Sequence, residues 1–163
     1  MRFNYCIYAL CMLSLLSITS EGQTITDPDD MKKMIEKEIE IDYSDADTIV
    51  PLFTIEHNGN TSVLSKETTK TVRFTFTVGY NLRFYLIGSS SANSDLVLRL
   101  HKYNEEDDVA SDLYFELRDN KSDIQVSKHD YVIRSNTENI LLLIIPEDYK
   151  GSAVAVVTEF WKK

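Results

Sequence analysis

Thr71-Val-Arg-Phe-Thr-Phe-Thr-Val78, followed by Gly79-Tyr-Asn81 and then Leu82-Arg-Phe-Tyr-Leu86, decides the fold class. In the first run Val72, Phe74, Phe76 and Val78 share one parity, and Thr71, Arg73, Thr75 and Thr77 share the other. Successive side chains of a strand point to opposite faces, so this run reads as a half-buried strand. The glycine-containing triplet is a turn signal, and Leu82, Phe84 and Leu86 resume the alternation beyond it.

The same period extends outward from that hairpin-like core. After Gly88 and a serine-rich loop, Leu96, Leu98 and Leu100 alternate with Val97, Arg99 and His101. Leu113, Phe115 and Leu117 mark a further strand, Ile124 and Val126 a short one, and Tyr131-Val-Ile-Arg134 another. Ile140 to Ile145 is apolar on both parities, which predicts a strand covered on both faces. Ala153 to Phe160 closes the pattern after a Pro146-to-Gly151 turn. Before Ile49 the period is helical instead. Thr26-Asp-Pro-Asp-Asp30 supplies capping and acidic residues, and Met31, Met34, Ile35 and Ile39 recur along one face. About eight short strands with one N-terminal helix predict an all-β, jelly-roll-like sandwich. The expected organisation is a signal peptide over 1–22, helix and linker over 23–48, and the sandwich over 49–163.

The signal-peptide expectation rests on Arg2, the apolar run Tyr5 to Leu16, and the small and polar residues Ser17, Thr19, Ser20 and Gly22. The run is too short for a good membrane span. Cleavage after Gly22 removes both cysteines, Cys6 and Cys11, and leaves a secreted, disulfide-free chain without thiol chemistry. It removes one basic and one acidic residue, so the net charge of −9 persists. That charge argues against nucleic acid and anionic lipid as partners. Asn60-Thr-Ser62 and Asn120-Lys-Ser122 are glycosylation sequons.

The order of strands resembles the bacterial pre-peptidase C-terminal domain and its collagen-binding relatives. The residues that carry the resemblance are Thr75-Phe-Thr-Val-Gly79, Leu82-Arg-Phe-Tyr-Leu-Ile-Gly88, Ser94-Asp-Leu-Val-Leu-Arg-Leu100, and Ile140–Ile145 with Tyr149 and Gly151. They cover residues 50–160. The chain departs from that family in its all-aliphatic strand before the last turn and in having no preceding protease domain. The resemblance implies a non-catalytic binding or secretion-associated module.

The chemistry-bearing residues agree with a non-enzyme. No nucleophile elbow, His-Glu-x-x-His helix or phosphate-cradling glycine loop occurs, and the chain has only five glycines. A hydrolase with residues dispersed along the chain is disfavoured on that ground. His57, His101 and His129 read as solvated surface side chains. Asp42, Asp45 and Asp47 sit where the helix gives way to the sandwich, and Glu105 to Asp108 form a second acidic run. Two readings stand for the first cluster: a solvated acidic loop, or carboxylates that converge on calcium. Some relatives of the resembled domain bind calcium near that edge. The outward parity carries Arg83, Tyr85, Arg99, Tyr103, Tyr114 and Arg118. Arginine and tyrosine are enriched where interfaces gain their energy, so these six are the expected partner-binding residues if they share one sheet face. Otherwise they cover cross-strand neighbours on a solvated sheet. The resulting expectation is a secreted module that binds a protein or glycan. The alternative is a secreted protease inhibitor with an immunoglobulin-like sandwich, faintly echoed in Asn58-Gly-Asn-Thr-Ser62.

Overall fold

A computed structural model describes residues 27–42, 49–58, 68–89, 95–104, 106, 108–119, 125–146, 149 and 151–160. The expected signal peptide, Cys6, Cys11, Asp45, Asp47 and the sequon residues Asn60 and Asn120 lie outside them. One helix, α1 (Pro28–Asp42), precedes eight strands: β1 (Ile49–His57), β2 (Thr68–Thr75), β3 (Asn81–Gly88), β4 (Val97–Asn104), β5 (Val109–Arg118), β6 (Ser127–Val132), β7 (Glu138–Ile145) and β8 (Ala153–Phe160).

The strands form two four-stranded antiparallel sheets, ordered β1-β8-β3-β6 and β2-β7-β4-β5. The pairs β1·β8, β2·β7, β3·β6 and β4·β5 nest around one another. It is as if one long hairpin, with its tip between β4 and β5, had been rolled into two layers. That is the jelly-roll order, and it differs from the immunoglobulin arrangement expected of the inhibitor alternative.

Inward side chains from both sheets fill one core. Leu82, Phe84 and Leu86 of β3 and Ala155 and Val157 of β8 meet Leu98, Leu100, Phe115, Leu141 and Leu143 from the opposite sheet. Phe84 and Phe115 pack edge to face with centroids 4.7 Å apart. A second core lies outside the first sheet, where Met31 and Ile35 of α1 cover Tyr85, Ile87, Val126, Val154 and Val156. Asp27 caps the helix by accepting the Asp29 amide at 3.0 Å, and Pro28 occupies its first turn.

Three strand expectations change. The doubly covered strands are β3 and β8, under α1, whereas Leu142 and Ile144 of β7 stay half-exposed on an outer face that no described element covers. Strand β6 runs Ser127–Val132, so it starts and ends earlier than the strand expected over Tyr131–Arg134; Val126 lies just before it, and Ile124 lies outside the described residues. Strand β2 ends at Thr75, and Val78 is exposed because Gly79 takes a left-handed conformation (φ 97°). That turn brings Tyr80 against Phe76, with centroids 5.2 Å apart.

Two residues behind the family resemblance are structural. The Tyr149 hydroxyl donates to the Ser152 carbonyl at 2.8 Å and accepts the Ser89 amide at 2.9 Å, which ties the end of β3 to the start of β8. Gly88 must be glycine there, because a Cβ would lie 2.6 Å from the Tyr149 hydroxyl.

Candidate binding cleft at the β5–β6 edge

The six outward arginines and tyrosines do not form one surface, which corrects the expectation built on parity. Arg83 and Tyr85 belong to β3 in one sheet; Arg99, Tyr103, Tyr114 and Arg118 belong to β4 and β5 in the other. Tyr85 is wholly buried beneath α1. Arg83 is held by Asp130, through Nη2 at 2.6 Å and also through Nε, with its Nη1 3.3 Å from Asp42. Across the molecule, Arg99 and Arg118 share Glu116 at 2.7 Å each and hold its carboxyl below the usual range, the Arg99 hydrogen bond contributing most. Tyr103 donates to Asp108 and carries the Arg73 guanidinium 4.2 Å above its ring. Most of these side chains pair within their own sheet, as the cross-strand reading expected.

Tyr114 leaves the outer face altogether. Leu100 pairs with Phe115 and His101 with Leu113, so Tyr114 is the extra residue of a β-bulge. The bulge reverses parity: Leu113, expected in the core, is 51% exposed, and Tyr114 packs against the core rim.

The calcium expectation meets two cations. Lys128 Nζ lies 2.9 Å from Asp42 Oδ1 and 3.1 Å from Glu38, and Arg83 approaches the other carboxylate oxygen. The hydrogen bonds to Asp42 and Glu38 raise the Lys128 pKa despite the opposing effect of burial. Asp42 therefore clamps α1 to β6 and β3. Among the described residues no group of three or more metal-ligating side chains converges.

The histidines also differ from a solvated surface. His57 is 3% exposed, and its Nε2 has no hydrogen-bond partner. Burial, and secondarily the charge of Lys70, pushes its pKa down. His129 stacks on Phe115 at 4.3 Å. His101 Nδ1 lies 3.0 Å from the Ser111 carbonyl.

The side chains that do converge lie where the edge strands β5 and β6 of the two sheets approach. A cleft of about 560 Å³ opens there, lined by Leu113 and Tyr114 from β5 and by His129, Asp130, Tyr131, Val132, Arg134 and Ser135 from β6 and the turn after it. Tyr114 and Tyr131 stack with centroids 5.6 Å apart and planes 25° from parallel. The Tyr114 hydroxyl lies 3.5 Å from Thr137 Oγ1. Burial raises the Tyr131 pKa, the neighbouring Tyr114 adds to that, and the charge of Arg134 opposes it. Arg73, Arg83, Arg99 and Arg118 all form ion pairs, and Arg134 is the one arginine among the described residues that forms none.

Of this cleft the sequence reading named Tyr114 alone as a site residue. The Tyr131-Val-Ile-Arg134 strand was legible, but nothing local showed that β6 lies beside β5 across two sheets. Family models and curated proteins compared with the chain yield no match.

Proposed function

We propose that the chain is a secreted, non-catalytic binding module that recognises a protein or glycan partner through the β5–β6 cleft. The observation that carries this reading is the convergence, in one concave site, of Tyr114, Tyr131 and Arg134, which forms no ion pair among the described residues. Tyrosine offers a large contact area with little rotamer freedom to lose, and arginine brings five donors. The other described arginines are spent on internal carboxylates, so Arg134 is the one left to meet an acidic group. The jelly-roll order of the strands supports kinship in kind with the pre-peptidase C-terminal sandwiches, and the apolar run before Gly22 supports export.

The test immobilises the mature protein and its Arg134→Glu variant, exposes both to an extracellular-matrix extract and to a glycan array, and identifies what each retains. Ligands held by the wild type and lost by the variant support the function. Equal retention by both, or none by either, removes it.

A further inference from the structure

The cleft is walled on one side by four consecutive residues, His129 to Val132. Consecutive lining means that the backbone of β6, and not only alternate side chains, faces it. Strand β6 pairs with β3 and with no other strand among the described residues. Just beyond its end, the Ile133 amide donates to the Tyr80 carbonyl at 2.9 Å and the Ile133 carbonyl accepts the Gly79 amide at 2.8 Å. Backbone groups of an antiparallel strand alternate in direction, so Tyr131 and His129 also bond toward β3. The amides and carbonyls of Val132, Asp130 and Lys128 point to the open edge.

The other three edges carry devices that discourage strand addition. Strand β1 contains Pro51 and an irregularity between Pro51 and Phe53. Strand β5 has two register shifts. Strand β2 places the charged Lys70 on its inward parity, opposite Leu143. Proline, bulges and inward-pointing charges are the means by which edges are blunted. Strand β6 keeps an unbroken register from Ser127 to Val132. Its two charged residues are turned to other tasks, Lys128 to Glu38 and Asp42 of α1 and Asp130 to Arg83.

We infer that β6 accepts an extended peptide segment of a partner protein as a fifth strand, with an acidic side chain over Arg134 and apolar side chains at alternate positions against Tyr114, Tyr131 and Leu113. Main-chain hydrogen bonds to Asp130 and Val132 supply affinity, and the alternating pockets supply choice. The acidic requirement follows from charge complementarity, since Arg134 pairs with no carboxylate among the described residues. This inference rests on the binding function proposed above and names the kind of partner.

A library of random nonapeptides displayed on phage, panned against the mature protein, is the probe. Enriched peptides should alternate apolar residues and carry an aspartate or glutamate. Their binding should fall by about tenfold or more in Arg134→Glu, a loss of the size expected when a charge-paired contact is reversed. Val132→Pro removes an edge amide that β3 does not use, and it should abolish binding while circular dichroism stays unchanged. If that variant does not fold, peptides N-methylated at single backbone nitrogens replace it, and methylation at alternate positions should block binding. The absence of enriched peptides overturns the inference, as does binding indifferent to Arg134→Glu and to backbone methylation. Ligands captured through the cleft that survive Val132→Pro would end strand addition while leaving the binding function standing. Absence of any Arg134-dependent capture by the unaltered protein would end both.

Discussion

Two buried side chains give opposite pH dependences. The pKa of His57 is lowered in the fold below its ordinary 6.5, so the unfolded chain binds the extra proton first. Its contribution is intact above pH 6.5 and is lost as the pH falls below that value. The chain should therefore unfold at lower urea at pH 5.5 than at pH 7.5, and His57→Gln should shrink that difference; equal differences in both proteins would refute the assignment. Glu159 reverses the sign. It lies on the inward parity of β8, opposite Leu82, with an Oε1 that finds no hydrogen-bond partner, and burial raises its pKa above 4.5. Here the favourable protonated form is present below pH 4.5, and stability declines as the pH rises through the folded pKa. Glu159→Gln is accordingly expected to raise the urea midpoint at pH 7 and to leave it nearly unchanged at pH 4. A lower midpoint at pH 7 would show that the carboxylate is stabilising after all.

The helix α1 is marginal by itself and persists because it docks. Met31 and Ile35 are fully buried on β3 and β8, Lys32 meets Glu56 of β1 at 2.9 Å, and Asp42 joins Lys128 and Arg83. Ile35→Ala removes packing atoms from a closed contact and should cost about 2–4 kcal/mol. Lys128→Ala breaks a partly exposed ion pair and should cost about 1 kcal/mol or less. Urea titrations of the two variants test that ranking, and a larger loss at Lys128 would mean that the clamp, not the apolar stripe, holds the helix. The stripe of Met31, Ile35 and Ile39 was legible because helical spacing is a local property of sequence. Strand parity was legible for the same reason, and it placed Phe74, Leu82, Phe84, Leu98 and Phe115 against the core. Sheet membership was not legible. Arg83 and Arg99 have the same parity in successive strands, yet the chain crosses from one sheet to the other between them. Nor was the bulge at Tyr114, since two extra residues in β5 look like ordinary strand residues until their partners in β4 are known. The cleft depends on both facts, which is why only Tyr114 of its lining was anticipated.

At the scale of the whole molecule, the nested pairing sets an order of formation. Strands β4 and β5 are neighbours in sequence, whereas β1 and β8 join Ile49 to Phe160 across nearly the entire sandwich. Closing a long loop costs chain entropy before any contact rewards it, so folds dominated by distant pairings form in about milliseconds to seconds rather than microseconds. Contacts at the tip of the rolled hairpin can form early, and those of the outermost pair must wait for the layers to meet. Phe115 belongs to the innermost pair, β4·β5, and meets Phe84 across the sandwich, whereas Val157 on β8 lies opposite Phe53 in the outermost pair, β1·β8, with Phe84 of β3 on its other side. Phe115→Leu should therefore slow refolding, while Val157→Ala should leave the refolding rate nearly unchanged and speed unfolding instead. Stopped-flow refolding and unfolding in urea measures both rates for each variant. Slower refolding confined to Val157→Ala would place the β1·β8 pair in the nucleus and reverse the order argued from the topology.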